Sequence, residues 1–422
     1  MSNTTDTPPA APAPAVDPRL LVREEGLKGY LAEFKRKVRG GELGVLPVVI
    51  GLAIIWAVFQ TQSSHFLSAT NLSNIGYFLS ATGMLAVGLV FVLLLGEIDL
   101  SVASVGGLSA AAFAVLSVTH GIDPLLSVVL AIATGAATGM LHGYFFAKVG
   151  VPAFVGTLAG NLFWNGLMLS LLGSSGSITL KDTGFLHLVG QRSFFMGSDI
   201  SGAYILAVLA VAALLGSSLL EQSKRRKAGV PFRPTSEIAL RSGVLALLAF
   251  GAAFMFNQAN GVPMALVLFL AALAVTDFVL RRTTYGRQIF AVGGSIEAAS
   301  RAGINVAFIR ISVYAISGGF AALGGLFFVA QTGTSNLGGI GTPNLLMMAI
   351  AAAVIGGTSL FGGRGSVWSA LLGGLVIQSI QTGLDLLNMN TSVQYMITGA
   401  VLLAAVVIDS LSRKTQKASG RS

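Results

Sequence analysis

The chain has 422 residues, of which 54% are apolar and 10% charged. A soluble domain carries about 25% charged residues, so this chain cannot cover a globular surface with polar groups, and a soluble enzyme or binding domain is excluded. It has no cysteine, which excludes a disulfide framework and any Cys-based metal or redox centre. The net charge of +9 raises nucleic acid as a partner, a question that the distribution of charge answers below.

Met1–Arg19 is rich in Pro, Ala and Thr and reads as a disordered tail. Leu20–Leu43 carries Arg23, Lys28, Lys35, Arg36, Lys37 and Arg39 and fits a basic amphipathic helix on a membrane surface. It lacks the apolar core and cleavage site of a signal peptide, so it is expected to be retained. From Val45 on, apolar runs of spanning length alternate with short polar breaks: 45–61, 74–95, 102–118, 124–147, 153–172, 202–220, 242–258, 262–280, 306–330, 345–361, 367–386 and 393–409. A span needs about 20 residues. The expected fold is therefore an all-α, polytopic transmembrane helical bundle of about 10–12 spans, some broken or re-entrant around Gly96 and Gly356–Gly365. The domain reading is an N-terminal cytoplasmic region at 1–43, a transmembrane domain at 44–410 and a basic cytoplasmic tail at 411–422.

Positive charge tests this map. With the N-terminus inside, all 26 Lys and Arg residues but Lys181 and Arg192 fall in the N-terminal region, Lys148, loops 221–241 and 281–305, Arg310, Arg364 and the C-terminal tail. That asymmetry puts both termini in the cytoplasm. It also accounts for the net charge by topology and contact with anionic membrane lipid, with no nucleic acid as partner.

The 53 glycines fit close helix packing in lipid, where no hydrophobic drive brings helices together. Gly135, Gly139 and Gly143 form a small-residue stripe over two turns. His65, His120, His142 and His187 share no metal-ligand spacing and read as bystanders.

Three sets of residues carry chemistry. Gly96-Glu97-Ile98-Asp99-Leu100-Ser101 puts two acids between long apolar runs. Acids in such a place face a bundle interior or a watery path, and Gly96 can break the helix so that both reach one cavity. Asp99 or Ser101 as the N-cap of the next helix is the simpler role, and the two are compatible. Loop Arg281–Ile304 is long enough for a short helix at Ser295–Ala302, with Gly303 as its C-cap and Gly293-Gly294 as the turn before it. Such a helix can be gripped by a partner protein, or be an ordinary charged connector. Third, Thr157, Asn161 and Asn165, with Trp164, and Gln378, Gln381, Thr382 and Asp385 make polar faces inside spans. Amides beside an aromatic plane suit a sugar, and the same amides serve as interhelix glue. Asp277 and Arg281, four apart at a span end, read as an interfacial pair.

No G-x-x-x-x-G-K-[ST] is present, so the chain has no Walker A loop, and no nucleophile–His–acid set appears. The stretches LLLGEIDLSVAS (93–104), AVGGSIEAASRAGIN (291–305) and IGGTSLFGGRGSVWSALLGG (355–374) resemble the permease subunits of bacterial ABC importers for monosaccharides, the ribose/xylose type, and xylose permeases most. The resemblance implies an inner-membrane subunit that works as a pair with a second permease copy. A separate ATP-binding cassette ATPase would use the ATP, and a periplasmic sugar-binding protein would deliver a pentose. The chain itself would bind no cofactor. By the same resemblance Gly294, Glu297, Ala298, Ala299 and Gly303 would belong to the ATPase-coupling loop. Glu97, Asp99, Ser101, Asn161, Trp164, Asn165 and Gln378 are the candidates for the translocation pathway. A proton-coupled secondary sugar transporter using Glu97 and Asp99 is the alternative, and a scaffold with no transport role is a second.

Overall fold

A computed structural model describes residues 46–180, 184–190, 193–194, 201–230, 232–259 and 261–418. The N-terminal region read at 1–43 lies outside the described residues. The rest is helical: α1 (Leu46–Gln62), α2 (Ala69–Leu94), α3 (Val102–Ala114), α4 (Pro124–Tyr144), α5 (Ala153–Leu172), α6 (Phe185–Gly190), α7 (Gly202–Lys227), α8 (Thr235–Gln258), α9 (Met264–Arg282), α10 (Thr284–Gly294), α11 (Ile296–Arg301), α12 (Val306–Thr332), α13 (Pro343–Ile355), α14 (Trp368–Leu386) and α15 (Thr391–Ala418). Each of the twelve apolar runs becomes a helix. Among the described residues, eight helices are long and apolar enough to cross a membrane, and α1, α13 and the first half of α15 are shorter apolar helices. The 13 residues of α13 reach only about 20 Å at 1.5 Å per residue, against about 30 Å of hydrocarbon. The run read as a span to 361 therefore stops at Gly356 and gives way to a loop. At the other terminus, α15 continues helical through Ala418, across the boundary read at 410.

Helix α2 is the axis of the bundle. From Leu79 to Leu95 every residue is buried, and α2 packs against α8, α9, α12, α13 and α14. Its sequence has no charged residue, and from Met84 to Leu94 it is apolar all round, the pattern of a helix with neighbours on every side. Helix α12 packs on α2 and, more closely still, on α4.

The α4–α12 contact shows what the glycine stripe does. A Cβ on Gly139 would lie 2.0 Å from the Tyr314 carbonyl oxygen, and one on Gly318 would lie 2.0 Å from that of Gly135. A Cβ on Gly143 would lie 2.7 Å from Ile311 Cα. The two backbones touch with nothing between them, so dispersion contacts replace the hydrophobic drive that lipid withholds.

The two ends of the bundle differ. At one end β1 (Ser177–Thr179), after α5, pairs antiparallel with β2 (Thr334–Asn336), after α12. At the opposite end of α12 lie α10 and α11, joined by Ser295 alone.

Gly139→Leu should lower thermal stability in detergent by at least about 1–3 kcal/mol, the cost of overpacking a filled contact. Gly216→Leu, with nothing within 4 Å of its Cβ position, should be near neutral. Equal melting temperatures for the two would show that the stripe is not a packing contact.

Candidate functional site: a buried polar cluster and a projecting helix

The α2–α3 break is built by Gly96. Its φ is +80°, a conformation glycine adopts without strain. The Glu97 N–H donates back to the Val92 carbonyl at 3.3 Å and Gly96 N–H to Leu93 at 2.9 Å, so the helix end satisfies its own last carbonyls. Three residues after Gly96, Asp99 Oδ1 accepts the Ser101 backbone N–H at 2.8 Å and the Ser101 hydroxyl at 2.6 Å. That turn leads into α3, whose N-cap is Ser101, so Asp99 braces the residue before the helix and does not fill the N-cap role read for it. Ser101 itself makes no side-chain cap.

Both acids have partners that the sequence did not disclose. Arg310 Nε lies 2.7 Å from Glu97 Oε1, and both side chains are largely buried. Arg310 also donates through Nη1 to the Phe146 carbonyl at 2.8 Å. Phe146 sits in a widened π turn, Phe145–Val149, that continues α4, and such a turn alters the local carbonyl pairing. One guanidinium thus joins α12, the end of α4 and the α2–α3 break. Counting Arg310 only as a cytoplasmic charge missed this, because no spacing links 97 to 310. Tyr314, one turn along α12 and fully buried, stands beside Glu97. Its hydroxyl and Glu97 Oε2 have no hydrogen-bond partner among the described residues.

His142, read as a bystander, is buried in a chain of hydrogen bonds. Trp164 Nε1 lies 3.1 Å from His142 Nε2, and His142 Nδ1 lies 3.2 Å from Ser101 Oγ. Indole only donates, so His142 Nε2 accepts and the ring proton sits on Nδ1. The chain then has one direction: Trp164 to His142 to Ser101 to Asp99. A Cβ on residue 160 would lie 2.4 Å from His142 Nε2, so Gly160 is what admits the imidazole against α5.

The structure brings Glu97, Asp99, Ser101 and Trp164 together. Asn161 and Asn165 lie on the same half-exposed face of α5 as Trp164. Asn165 Nδ2 donates to Asn161 Oδ1 at 3.2 Å, and Thr157 donates to its own helix at the Ala153 carbonyl. Gln378 does not join them. It stands on α14, bonded to Thr382 at 3.3 Å. Gln381 and Asp385 pair with Thr398 and Gln394 of α15, the interhelix-glue role.

The loop helix is α11, Ile296–Arg301. The Ser295 hydroxyl accepts the Ala298 N–H at 3.2 Å as N-cap, and Gly303 follows with φ +82°, as read. Gly293 and Gly294, expected as a turn, instead end the 11-residue α10, and the break falls at the extended Ser295. Glu297 and Arg301 are more than four-fifths exposed, and Ile296 and Ala298 are exposed beside them. Ala299 alone faces inward. Asp277 and Arg281 form the expected pair at 2.7 Å. No group of three or more metal-ligating side chains is found among the described residues.

The chain matches the family described as branched-chain amino acid transport system, permease component, over residues 71–220 and 227–406. The chain belongs to this permease family. Among its relatives is the xylose transport system permease protein XylH of Haemophilus influenzae, 34% identical over 90% of this chain and 99% of that protein. XylH of Escherichia coli (strain K12) is 33% identical over 87% of this chain and 93% of its own length. The ribose import permease protein RbsC of the same strain is 31% identical over 86% and 92%. No solved structure matches the chain. The permease is a multi-pass membrane transport subunit, not an enzyme.

Arg310→Met leaves Glu97 buried without its cation and should cost about 3–5 kcal/mol, the loss expected when one partner of a buried pair is removed. Glu97→Leu combined with Arg310→Met should recover most of it. Thermal melting of the purified permease reads both, and a double variant no better than the single one would mean that the pair carries no mutual stabilisation.

Proposed function

We propose that this permease is the membrane subunit of an ATP-driven monosaccharide importer in the bacterial inner membrane, with both termini cytoplasmic and xylose or another pentose as cargo. A separate ATP-binding cassette ATPase hydrolyses ATP, a periplasmic sugar-binding protein delivers the sugar, and a second permease copy completes the path. No cofactor binds this chain. The observation that carries the ATPase reading is α11, a capped helix at one end of an apolar bundle, whose exposed face is Ile296, Glu297, Ala298 and Arg301. A helix that shows a charged and apolar face to solvent is built for a partner's groove. The xylose and ribose permeases among its relatives support the sugar.

The path-lining role falls best on Asn161, Trp164 and Asn165. Their amides and indole are half-exposed on an otherwise apolar face and offer donors, an acceptor and a stacking plane to a sugar. Asp99 and Ser101 stand behind that face and hold it through His142, and Glu97 is tied to Arg310 at the same break. Gln378, buried on α14, stands on a helix that packs against α1, α2, α13 and α15 and is not among the neighbours of α5.

Uptake of labelled xylose should require the permease and cellular ATP and survive a protonophore. Uptake abolished by the protonophore alone would replace this reading with proton coupling. Asp99→Ala should lower uptake more than Asp277→Ala, and Glu297→Lys should release the ATPase subunit from the purified permease. Undiminished ATPase co-purification in that variant would remove α11 as the docking element.

A further inference from the structure

The three stretches that are distinctive in sequence, 93–104, 291–305 and 355–374, meet at one point, and they meet through glycine backbone. The Leu94 carbonyl, in the last turn of α2, accepts the Gly363 N–H at 2.9 Å. A Cβ on Gly293 would lie 1.7 Å from that same oxygen and 2.9 Å from the Gly363 nitrogen. A Cβ on Gly362 would lie 2.6 Å from the Gly293 oxygen and 2.8 Å from the Gly96 nitrogen, and one on Gly96 3.2 Å from the Phe361 oxygen. Gly96, Gly362 and Gly363 have φ of +80°, +84° and +69°, so each is doubly bound to glycine, by space and by conformation.

What the junction joins gives it meaning. Gly293 lies in the last turn of α10, two residues before Ser295 and the projecting α11. Leu94 and Gly96 are the end of α2 and the break that leads to Glu97 and Asp99. Gly362 and Gly363 lie in the link between the short α13 and α14. Arg281, at the end of α9, donates to Ser366 in that link at 3.1 Å. Elsewhere α10 is held through buried Ile289 and Val292 and by Tyr285, whose hydroxyl lies 2.7 Å from Ser312 Oγ on α12. A side-chain contact gives by changing rotamer. A backbone-to-backbone contact at van der Waals distance has no such freedom.

We propose that Gly96, Gly293, Gly362 and Gly363 form the stiff joint through which displacement of α11 reaches both broken spans together. They are positioning residues: a push on α11 arrives at Leu94–Asp99 and at the 356–366 link as one movement, and from Asp99 it passes along Ser101 and His142 to Trp164. This rests on the reading of α11 as the ATPase-docking element, and it adds where the stroke enters the membrane.

The test uses the permease reconstituted with its ATPase and sugar-binding protein in liposomes. Gly293→Ala and Gly362→Ala should each retain the ATPase subunit and its hydrolysis while sugar uptake falls at least tenfold, so that ATP spent per sugar moved rises by the same factor. Gly319→Ala, whose Cβ would meet nothing within 4 Å, should leave that ratio unchanged. Normal uptake in the two junction variants, or uptake and hydrolysis falling in parallel, overturns the joint. Should a junction variant fail to fold, the otherwise unaltered junction supplies the second test. The chain has no native cysteine, so spin labels at Ser300, Phe361 and the exposed His120 report without background. The Ser300–Phe361 distance should hold through the ATP cycle while both distances to His120 change. A changing Ser300–Phe361 distance overturns the proposal. Failure of the docking reading shows separately, as ATPase retention in Glu297→Lys.

Discussion

A helix end packed inside a bundle leaves carbonyls and N–H groups without intrahelical partners, and each must find one nearby. That constraint organises this permease. The chain breaks α2 before Glu97 and ends α13 at Ile355; most end groups turn back on their own segments, one hydrogen bond joins the two breaks, and the C-terminal end of α10 packs against both. Leu94 gives its carbonyl to Gly363, and the approach is close enough only because residues 96, 293 and 362 carry no side chain. Glycine is usually a source of flexibility. Packed on glycine from other segments it has the opposite effect, because the contact left is between backbones alone.

The charged residues obey the same constraint. Glu97 is tolerable because Arg310 comes within 2.7 Å, and Arg310 is tolerable because the π turn after α4 gives it the Phe146 carbonyl as well. Asp99 takes both protons that Ser101 can offer. Ser101 in turn is fixed by His142, and His142 by Trp164. The acids are therefore not loose groups facing a channel in this conformation. They are the fixed end of a network whose other end, Trp164, reaches the half-exposed face of α5. A rearrangement of the α2–α3 break must be felt at that face, which gives a physical route from the helix end to the sugar-facing amides.

How much of this was legible in the sequence depends on the range of the interaction. Whatever is written in one segment could be read there. Span positions follow from runs of apolar residues, the 135–139–143 stripe from a spacing of four, and α11 from Ser295 before it and Gly303 after it. Failures begin where a residue's meaning lies elsewhere in the chain. Arg310 looks like any basic residue at a span end until Glu97 is beside it. His142 has no ligand spacing because its partners, Ser101 and Trp164, are on two other helices. Gly293 and Gly294 look like a turn, since a Gly pair usually is one. They stay helical because the neighbouring α2 end requires a bare helix surface at 293. Helix α10 itself was hidden for a related reason: its apolar residues, Ile289 and Val292, are few, and burial against the bundle holds it in place of local propensity.

The contrast between the two ends of the bundle carries the argument furthest. At the β1–β2 end, α5 and α12 are tied by a three-residue antiparallel pair and the Leu180–Gly333 hydrogen bond at 2.9 Å. A ladder of that kind resists sliding but is short. At the other end, helices α2, α9, α10 and α12 and the 356–366 link are drawn together by backbone contact, by the Glu97–Arg310 pair and by hydrogen bonds from Arg281 and Tyr285. The helix that projects from this end, α11, has only Ala299 turned inward and is attached through one extended residue. Stiffness is therefore concentrated immediately behind the most exposed element of the fold. An importer that took its power from ions moving through its own spans would need compliance near its titratable groups. A subunit driven from outside needs a rigid seat beneath the handle, and that is the arrangement the residues around Gly293 provide.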